Sequence, residues 1–137
     1  MAFDTPINDR YFEDYVEGDQ TFHTDPDAAK LTAFGGIIAS GWHTAALTMR
    51  IYVEHYLTHV ASLGSPGLDE LRWVRPVRPG DILSVRVTVL QALRSRSKSD
   101  RGAVTSFIEV FNQADEMVMS FKCVNIIGRR PSAQLAQ

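Results

Sequence analysis

The segment from Asp19 to His43 is the part of the sequence best equipped for chemistry. Histidine is the side chain that most often acts as a general acid or base, and His23 is the histidine of this segment that precedes the predicted helices. Asp19 lies four residues before it and supplies a carboxylate. His23 is therefore a candidate for acid–base chemistry. The alternative interpretation is a structural or solvent-exposed histidine beside an aspartate in a surface turn.

Ser40 and Gly41 stand where a long helix is predicted to begin. A helix N-terminus carries backbone N–H groups without intrahelical acceptors, and it carries a partial positive charge. Such donors stabilise an oxygen atom that gains negative charge, most strongly where water is excluded. A glycine permits close approach to the backbone because it has no Cβ atom. Close packing of the helix against a strand is the alternative explanation for Gly41.

One long helix and four strands are predicted to position these residues. The helix should run from about Ser40 to about Leu63, and its broad apolar surface predicts burial on most sides. Asp25 should cap a single helical turn that has Pro26 at its first position. The strands are predicted at residues 69–77, 82–93, 103–112 and 117–127, with a hairpin turn at residues 113–116. This order predicts an α+β fold with an antiparallel sheet.

The composition is that of one soluble domain. The chain has 137 residues, of which 45% are hydrophobic and 22% charged, which permits a core and excludes wholesale disorder. The net charge of −2 argues against nucleic acid as the main partner. The sequence shows no secretory signal and no stretch apolar enough to span a bilayer, and its single cysteine fits a reducing compartment. We therefore expect one cytoplasmic domain over residues 1–137 that binds neither nucleic acid nor membrane.

Several other residues have weaker claims to function. His43 is expected to pack on the helix rather than act as a base. His55 and His59 have the i, i+4 spacing of metal ligands, but no third ligand is evident, so no metal site is predicted. Cys123 is expected to fill the core. The loop at residues 94–101 carries four cations against one acid, which suits the phosphates of a thioester carrier, with a solvated loop as the alternative.

Several runs of residues resemble the MaoC-like dehydratases: residues 23–30, residues 34–42, Arg72-Trp73 and residues 77–81. The resemblance covers about residues 10–127. It implies the hot-dog fold, in which an antiparallel sheet wraps around one long helix. It also implies hydration or dehydration of an enoyl thioester, carried by coenzyme A or by a carrier protein. No cofactor is implied, and the protein is expected to be a homodimer or a higher homo-oligomer in which paired subunits together complete the acyl pocket.

The resemblance also implies a role for each candidate residue. An aspartate and His23 would hold the water molecule that adds to C3 of a 2-enoyl thioester. A backbone N–H at the helix start, at Ser40 and Gly41, would receive the thioester oxygen as it gains enolate character. The missing side chain of Gly41 would let the acyl chain approach.

The sequence departs from the family pattern around Asp19. The family places its aspartate one residue further from the histidine, normally with a proline between them, and no proline separates Asp19 from His23. A stretch of helix and a strand are also missing between Gly18 and Gln20. Either the chain is shortened here, or a segment of the protein is absent from this sequence. Residues 20–23 continue the family motif without a shift, which favours the second explanation. Asp19 would then be a bystander.

Two other functions stay open at this point. A thioester hydrolase would need a carboxylate near the thioester carbonyl. Glu54 is the carboxylate of the predicted helix, but it lies about three turns from the N-terminus, which counts against hydrolysis. A non-catalytic module that binds acyl thioesters would keep the fold and lack the aspartate.

Overall fold

The computed structural model describes residues 21–131. The chain divides into two compact units, the first ending at Ile37 and the second beginning at Ile38. Asp19 lies outside the described residues. The single domain expected over residues 1–137 stays a prediction.

The described part of the first unit contains two short helices. A 3-10 helix covers Thr21–His23, and helix α1 covers Pro26–Lys30. The Oδ1 atom of Asp25 accepts hydrogen bonds from the backbone N–H groups of Asp27 and Ala28, at 3.0 and 3.1 Å. The predicted cap at Asp25 and the predicted helical start at Pro26 are therefore confirmed. Because the cap uses two N–H groups that have no intrahelical acceptor, it fixes where α1 begins.

The second unit consists of one main helix and a four-stranded antiparallel sheet. Its elements are helix α2 (Gly41–His55) and strands β1 (Leu68–Trp73), β2 (Ser84–Arg94), β3 (Arg101–Phe111) and β4 (Met117–Gly128). The strands lie in the order β1-β4-β3-β2, and every neighbouring pair is antiparallel. The predicted α+β fold is confirmed. The core is formed by apolar side chains of the sheet, of α2 and of the segment between β1 and β2: Tyr52, Val77, Ile108, Val110, Val118, Met119, Phe121 and Cys123.

Helix α2 is shorter than predicted. It ends at His55 instead of near Leu63, because the chain leaves helical geometry at Tyr56 (φ −125°, ψ −48°). The hydroxyl oxygen of Thr58 then accepts hydrogen bonds from the backbone N–H groups of Val60 and Ala61, at 3.3 Å each, and starts a turn. His59 thus lies beyond the helix, and the i, i+4 metal spacing with His55 is lost. No helix within residues 21–131 is long and apolar enough to cross a membrane.

The face of α2 that packs on the sheet differs from the one its apolar residues suggest. Thr44, Thr48 and Tyr52, at i, i+4 and i+8, are its buried residues. The Thr48 hydroxyl donates to the carbonyl oxygen of Thr44 at 2.9 Å, so its burial leaves no polar atom unsatisfied. By contrast, Trp42 is 70% exposed and Met49 is 52% exposed. The expectation that α2 is buried on most sides is therefore wrong for the single chain.

Tyr52 anchors α2 to the sheet through a buried hydrogen bond. Its hydroxyl donates to Oδ1 of Asn125 on β4 at 2.6 Å, and the Cys123 thiol donates to the same oxygen at 3.5 Å. Tyr56, one turn later, lies 3.3 Å from the Ser106 hydroxyl but is 42% exposed. Burial raises the pKa of the Tyr52 phenol above its usual range. Cys123 is buried, as expected for a core residue.

Replacing Tyr52 by phenylalanine should lower the free energy of unfolding by about 1–3 kcal/mol, because it leaves the buried Asn125 oxygen with only a weak thiol donor. Tyr56→Phe, the matched control, should cost less because its hydroxyl is near solvent. Urea unfolding would measure the free energy of unfolding of both variants. Equal losses in the two variants would contradict this account.

The raised pKa of Tyr52 also predicts a pH dependence. Since the folded-state pKa of Tyr52 is raised, the stability of the wild type should fall as pH rises above about 10, and Tyr52→Phe should lessen that fall.

Candidate functional site

The start of helix α2 presents free backbone donors. Ser40 is the N-cap, and its Oγ atom accepts a hydrogen bond from the His43 N–H at 3.0 Å. The carbonyl oxygen of Ser40 accepts from the Thr44 N–H at 3.0 Å and so begins the helical ladder. Helix geometry leaves the N–H groups of Gly41 and Trp42 without an intrahelical acceptor. These two donors are available for a ligand oxygen, and the helix dipole favours negative charge there.

Gly41 is packed directly against the indole ring of Trp73, the last residue of β1. A Cβ atom on Gly41 would lie 2.6 Å from both Nε1 and Cδ2 of that ring, which no side chain tolerates. The absence of a side chain at Gly41 is therefore required by the packing of helix against strand. The Trp42 ring meets the Trp73 ring at 5.5 Å between centroids and an interplanar angle of 76°. Trp73 is still 47% exposed, so a half-open aromatic surface adjoins the two donors.

The segment after β1 holds the start of α2 in place. The Ala39 N–H, just before the helix, donates to the carbonyl oxygen of Val77 at 2.8 Å. The turn that follows is closed by Asp81, whose Oδ2 accepts from the Arg78 N–H at 2.8 Å and whose Oδ1 accepts from the Gln113 amide at 2.9 Å. The first of these bonds holds the pKa of Asp81 below its usual range. The Pro-Gly-Asp turn at residues 79–81 thus fixes the loop that carries Val77.

His23 is half-buried at the end of the 3-10 helix in the first unit. The Phe22 ring meets it edge-on, with 4.5 Å between centroids, and Phe34 packs on Phe22 at 5.1 Å. Because the Asp25 cap follows directly, the backbone that carries His23 leads into a defined helical turn. These contacts restrict the orientation of the imidazole ring.

The predicted site residues fall on different parts of the chain. Ser40 and Gly41 adjoin at the start of α2 in the second unit, whereas His23 belongs to the first unit. Asp19 lies outside the described residues, so its predicted role stays a prediction. His43 is exposed on α2, and its backbone N–H is the group that Ser40 caps.

Sequence reasoning missed the importance of Trp73 and of the buried face of α2. Trp73 was noted only as part of a family-like pair of residues, and nothing local indicates that its ring covers Gly41. The spacing of Thr44, Thr48 and Tyr52 at i, i+4 and i+8 is a visible signal for one helix face. Hydrophobicity alone does not reveal this face, because two of its three residues are threonines.

Comparisons with known proteins agree with this architecture. A family model described as a MaoC like domain matches residues 14–125. A MaoC-like dehydratase from Rhodospirillum rubrum is 43% identical, with a TM-score of 0.74 over 82% of this chain and 76% of that chain. The R-hydratase PhaJ1 from Pseudomonas aeruginosa is 30% identical, with a TM-score of 0.59 over 82% and 66%. A monoamine oxidase regulatory protein from Archaeoglobus fulgius is 26% identical, with a TM-score of 0.68 over 82% and 74%.

The antiparallel four-stranded sheet with one main helix is the hot-dog fold of these neighbours. The family model covers most of the chain and the dehydratase from Rhodospirillum rubrum shares 43% of the aligned residues. This chain belongs to the MaoC-like family. The resemblance and the fold predicted from the sequence are therefore confirmed.

Proposed function

We propose that this chain is a cytoplasmic lyase that adds water to a 2-enoyl thioester or removes it from a 3-hydroxyacyl thioester. The observation that carries the proposal is the family match over residues 14–125. The neighbours named as a dehydratase and an R-hydratase support the same class of reaction. The thioester carrier is coenzyme A or a carrier protein, and the chemistry calls for no cofactor.

The start of α2 is proposed to stabilise the transition state. In hydration, the water oxygen bonds to C3, a proton is added at C2, and the thioester oxygen carries the enolate charge in between; dehydration reverses these steps. The N–H groups of Gly41 and Trp42 are the proposed donors to that oxygen, with Ser40 holding the helix end as its cap. Donors fixed in advance act most strongly in a site that excludes water. The exposed Trp42 and Trp73 rings would exclude water once an acyl chain covers them.

His23 is proposed to move the proton. A neutral imidazole can accept a proton from water as the water oxygen bonds to C3, and the resulting imidazolium can donate that proton to C2 of the enolate, which restores the neutral imidazole. Asp19 is kept as the candidate carboxylate partner, with the alternative that it is a bystander. The substitution Asp19→Asn separates the two, because a catalytic carboxylate is required for turnover and a bystander is not.

Hydrolysis of the thioester is the weaker alternative. Glu54 is the carboxylate of α2, and it lies about 20 Å along the helix from Gly41. Its side chain is bound to Arg50 at 2.9 Å, and this pairing lowers its pKa. A carboxylate so placed cannot activate water at the start of α2.

A non-catalytic module that binds acyl thioesters is the second candidate function. It is favoured by the departure from the family pattern at Asp19 and by the likeness to a protein named for regulation rather than catalysis. Such a module would use the donors of Gly41 and Trp42 for binding alone. The intact mass compared with 15.3 kDa bears on this choice, since a heavier protein would contain the missing segment.

Hydration of trans-2-butenoyl-CoA (crotonyl-CoA) tests the proposal. The loss of conjugated-thioester absorbance would be followed while free thiol is measured in parallel. Absorbance loss without thiol release is the expected result. Thiol release would establish the hydrolase instead. No change in absorbance and no release of thiol, with enoyl-CoA substrates of several chain lengths, would favour the binding module.

A homodimer is proposed as the working form. Four residues of α2 at i, i+4, i+7 and i+11 form an apolar stripe: Trp42, Ala46, Met49 and Val53. Three of the four are exposed and Val53 is half-buried in the single chain. This spacing is the one with which a helix packs on another helix. A second copy would cover the stripe and remove its apolar surface from water.

Met49→Lys should therefore convert the dimer into a monomer, because it places a charge at the centre of the stripe. Leu47→Lys is the matched control, since Leu47 is 39% exposed but lies outside the stripe. Light scattering coupled to gel filtration measures the mass of each. A monomeric wild-type protein, or equal dissociation in both variants, would contradict this assignment.

A further inference from the structure

Six cations gather at the end of the sheet where β2 and β4 finish and β3 begins. This basic end consists of Arg94, Arg96, Lys98, Arg101, Arg129 and Arg130. It holds six of the 14 Lys and Arg residues of the chain, and one acid, Asp100, lies among these six in sequence. Elsewhere in residues 21–131 there are nine acids and seven cations, so positive charge is concentrated at the basic end of the described chain.

The charges of the basic end are mostly unpaired with carboxylates. Elsewhere in residues 21–131 there are seven Lys and Arg residues, and at least five of them form ion pairs. Within the basic end the described structure has one such pair, in which Arg101 binds Asp100 at 2.8 Å. A surface whose cations lack acidic neighbours attracts a negatively charged partner at a distance.

The basic end is held in a defined shape. The Arg129 guanidinium donates to the carbonyl oxygen of Ser99 at 2.8 Å, and the Arg129 N–H donates to that of Asp100 at 2.7 Å. These bonds fasten the β2–β3 loop to the end of β4. A shallow cavity of about 260 Å³ lies there, lined in part by Arg94, Gly102 and Arg129. Because the backbone around the cations is already ordered, a partner loses less entropy on binding them.

The position of the basic end argues for a partner of protein size. Trp73, which covers Gly41, pairs with Met119 on β4, whereas Gly128 pairs with Arg101. Nine residues of extended strand separate Met119 from Gly128, a distance of about 30 Å. The basic end and the start of α2 thus lie near opposite ends of strand β4. A folded protein that binds the basic end can span part of this distance, whereas a small anion cannot.

We propose that the basic end is the docking surface for an acidic carrier protein that presents the acyl thioester. This inference rests on the proposed function, because it identifies which carrier presents the acyl thioester of that reaction. Complementary charge should raise the association rate and orient the carrier, whereas the start of α2 would receive its acyl group.

Binding is tested first, because it does not depend on turnover. The probe is an acidic acyl carrier protein with its pantetheine arm, titrated calorimetrically into the full chain. Arg96→Gln combined with Lys98→Gln should weaken binding by about tenfold, and salt should weaken the wild-type complex. The control is Arg86→Gln combined with Lys122→Gln, which removes two charges from ion pairs outside the basic end. Undetectable binding, or equal losses in both double variants, would overturn the proposal.

Turnover then separates this inference from the proposed function. With crotonyl thioesters, the basic-end variant should lose kcat/KM for the carrier-protein substrate and keep it for crotonyl-CoA. An equal loss for both substrates would mean that the basic end binds the phosphates of coenzyme A, which overturns the assignment to a carrier protein. If neither thioester is hydrated while binding still weakens only in the basic-end variant, the docking surface is supported and the enzymatic proposal fails.

Discussion

His23→Ala should reduce the rate of enoyl-thioester hydration by about 10²–10⁴-fold, the usual contribution of a positioned acid–base group. The protein should still fold, because His23 is half-buried at the end of a short helical turn and does not belong to the core. Steady-state kinetics with crotonyl-CoA, together with thermal unfolding of the same samples, measures both quantities.

The matched control for this experiment is His43→Ala. His43 is exposed, and Ser40 caps its backbone N–H, which alanine retains. Hydration should therefore survive this substitution. If His23→Ala unfolds the protein, or if it hydrates the substrate as fast as the wild type does, the assignment of His23 as the proton carrier is wrong.

Gly41→Ala should lower the free energy of unfolding by about 1–3 kcal/mol, the cost of forcing extra atoms into a packed site. The new Cβ atom would fall within the indole ring of Trp73, so either the ring or the start of α2 must move. Gly128→Ala is the matched control, because the nearest atom to its Cβ would be 3.5 Å away, an ordinary contact. Urea unfolding of the two variants provides the comparison.

A second substitution identifies the cause of that loss. Combined with Trp73→Leu, which removes the ring, Gly41→Ala should cost little further stability, since the clash has been removed. The double variant retains the backbone N–H of Gly41. Recovery of stability without recovery of hydration would assign the Trp73 ring a part in enclosing the substrate. Additive losses would show that the clash with Trp73 is not the cause.

Local signals in the sequence predicted the parts of the fold that local chemistry decides. The Asp25 cap needs only its own side chain and the next two N–H groups, so it was readable from Asp-Pro-Asp. The turn at residues 113–116 likewise depends on Asn112, whose side-chain oxygen accepts from the N–H groups of Ala114 and Glu116. The order of one helix and four strands followed from hydrophobic periodicity.

Features that depend on contacts distant in sequence were not predictable in the same way. The buried face of α2 is set by Tyr52, whose partner Asn125 lies 73 residues away. The end of α2 depends on the side chain of Thr58 and on the pairing of residues 62–63 with β4. For the candidate site, the sequence indicated Ser40 and Gly41, but the ring that covers Gly41 comes from another strand. The part that involves Asp19 still rests on the sequence alone.

The contact between Trp42 and Trp73 also gives the protein an internal optical probe. These are its two tryptophans, and their rings lie 5.5 Å apart at the start of α2. All indole fluorescence therefore originates beside the proposed thioester site. An acyl chain bound there changes the solvent around both rings. The tryptophan emission spectrum of the protein therefore reports whether this site is occupied, without an added label.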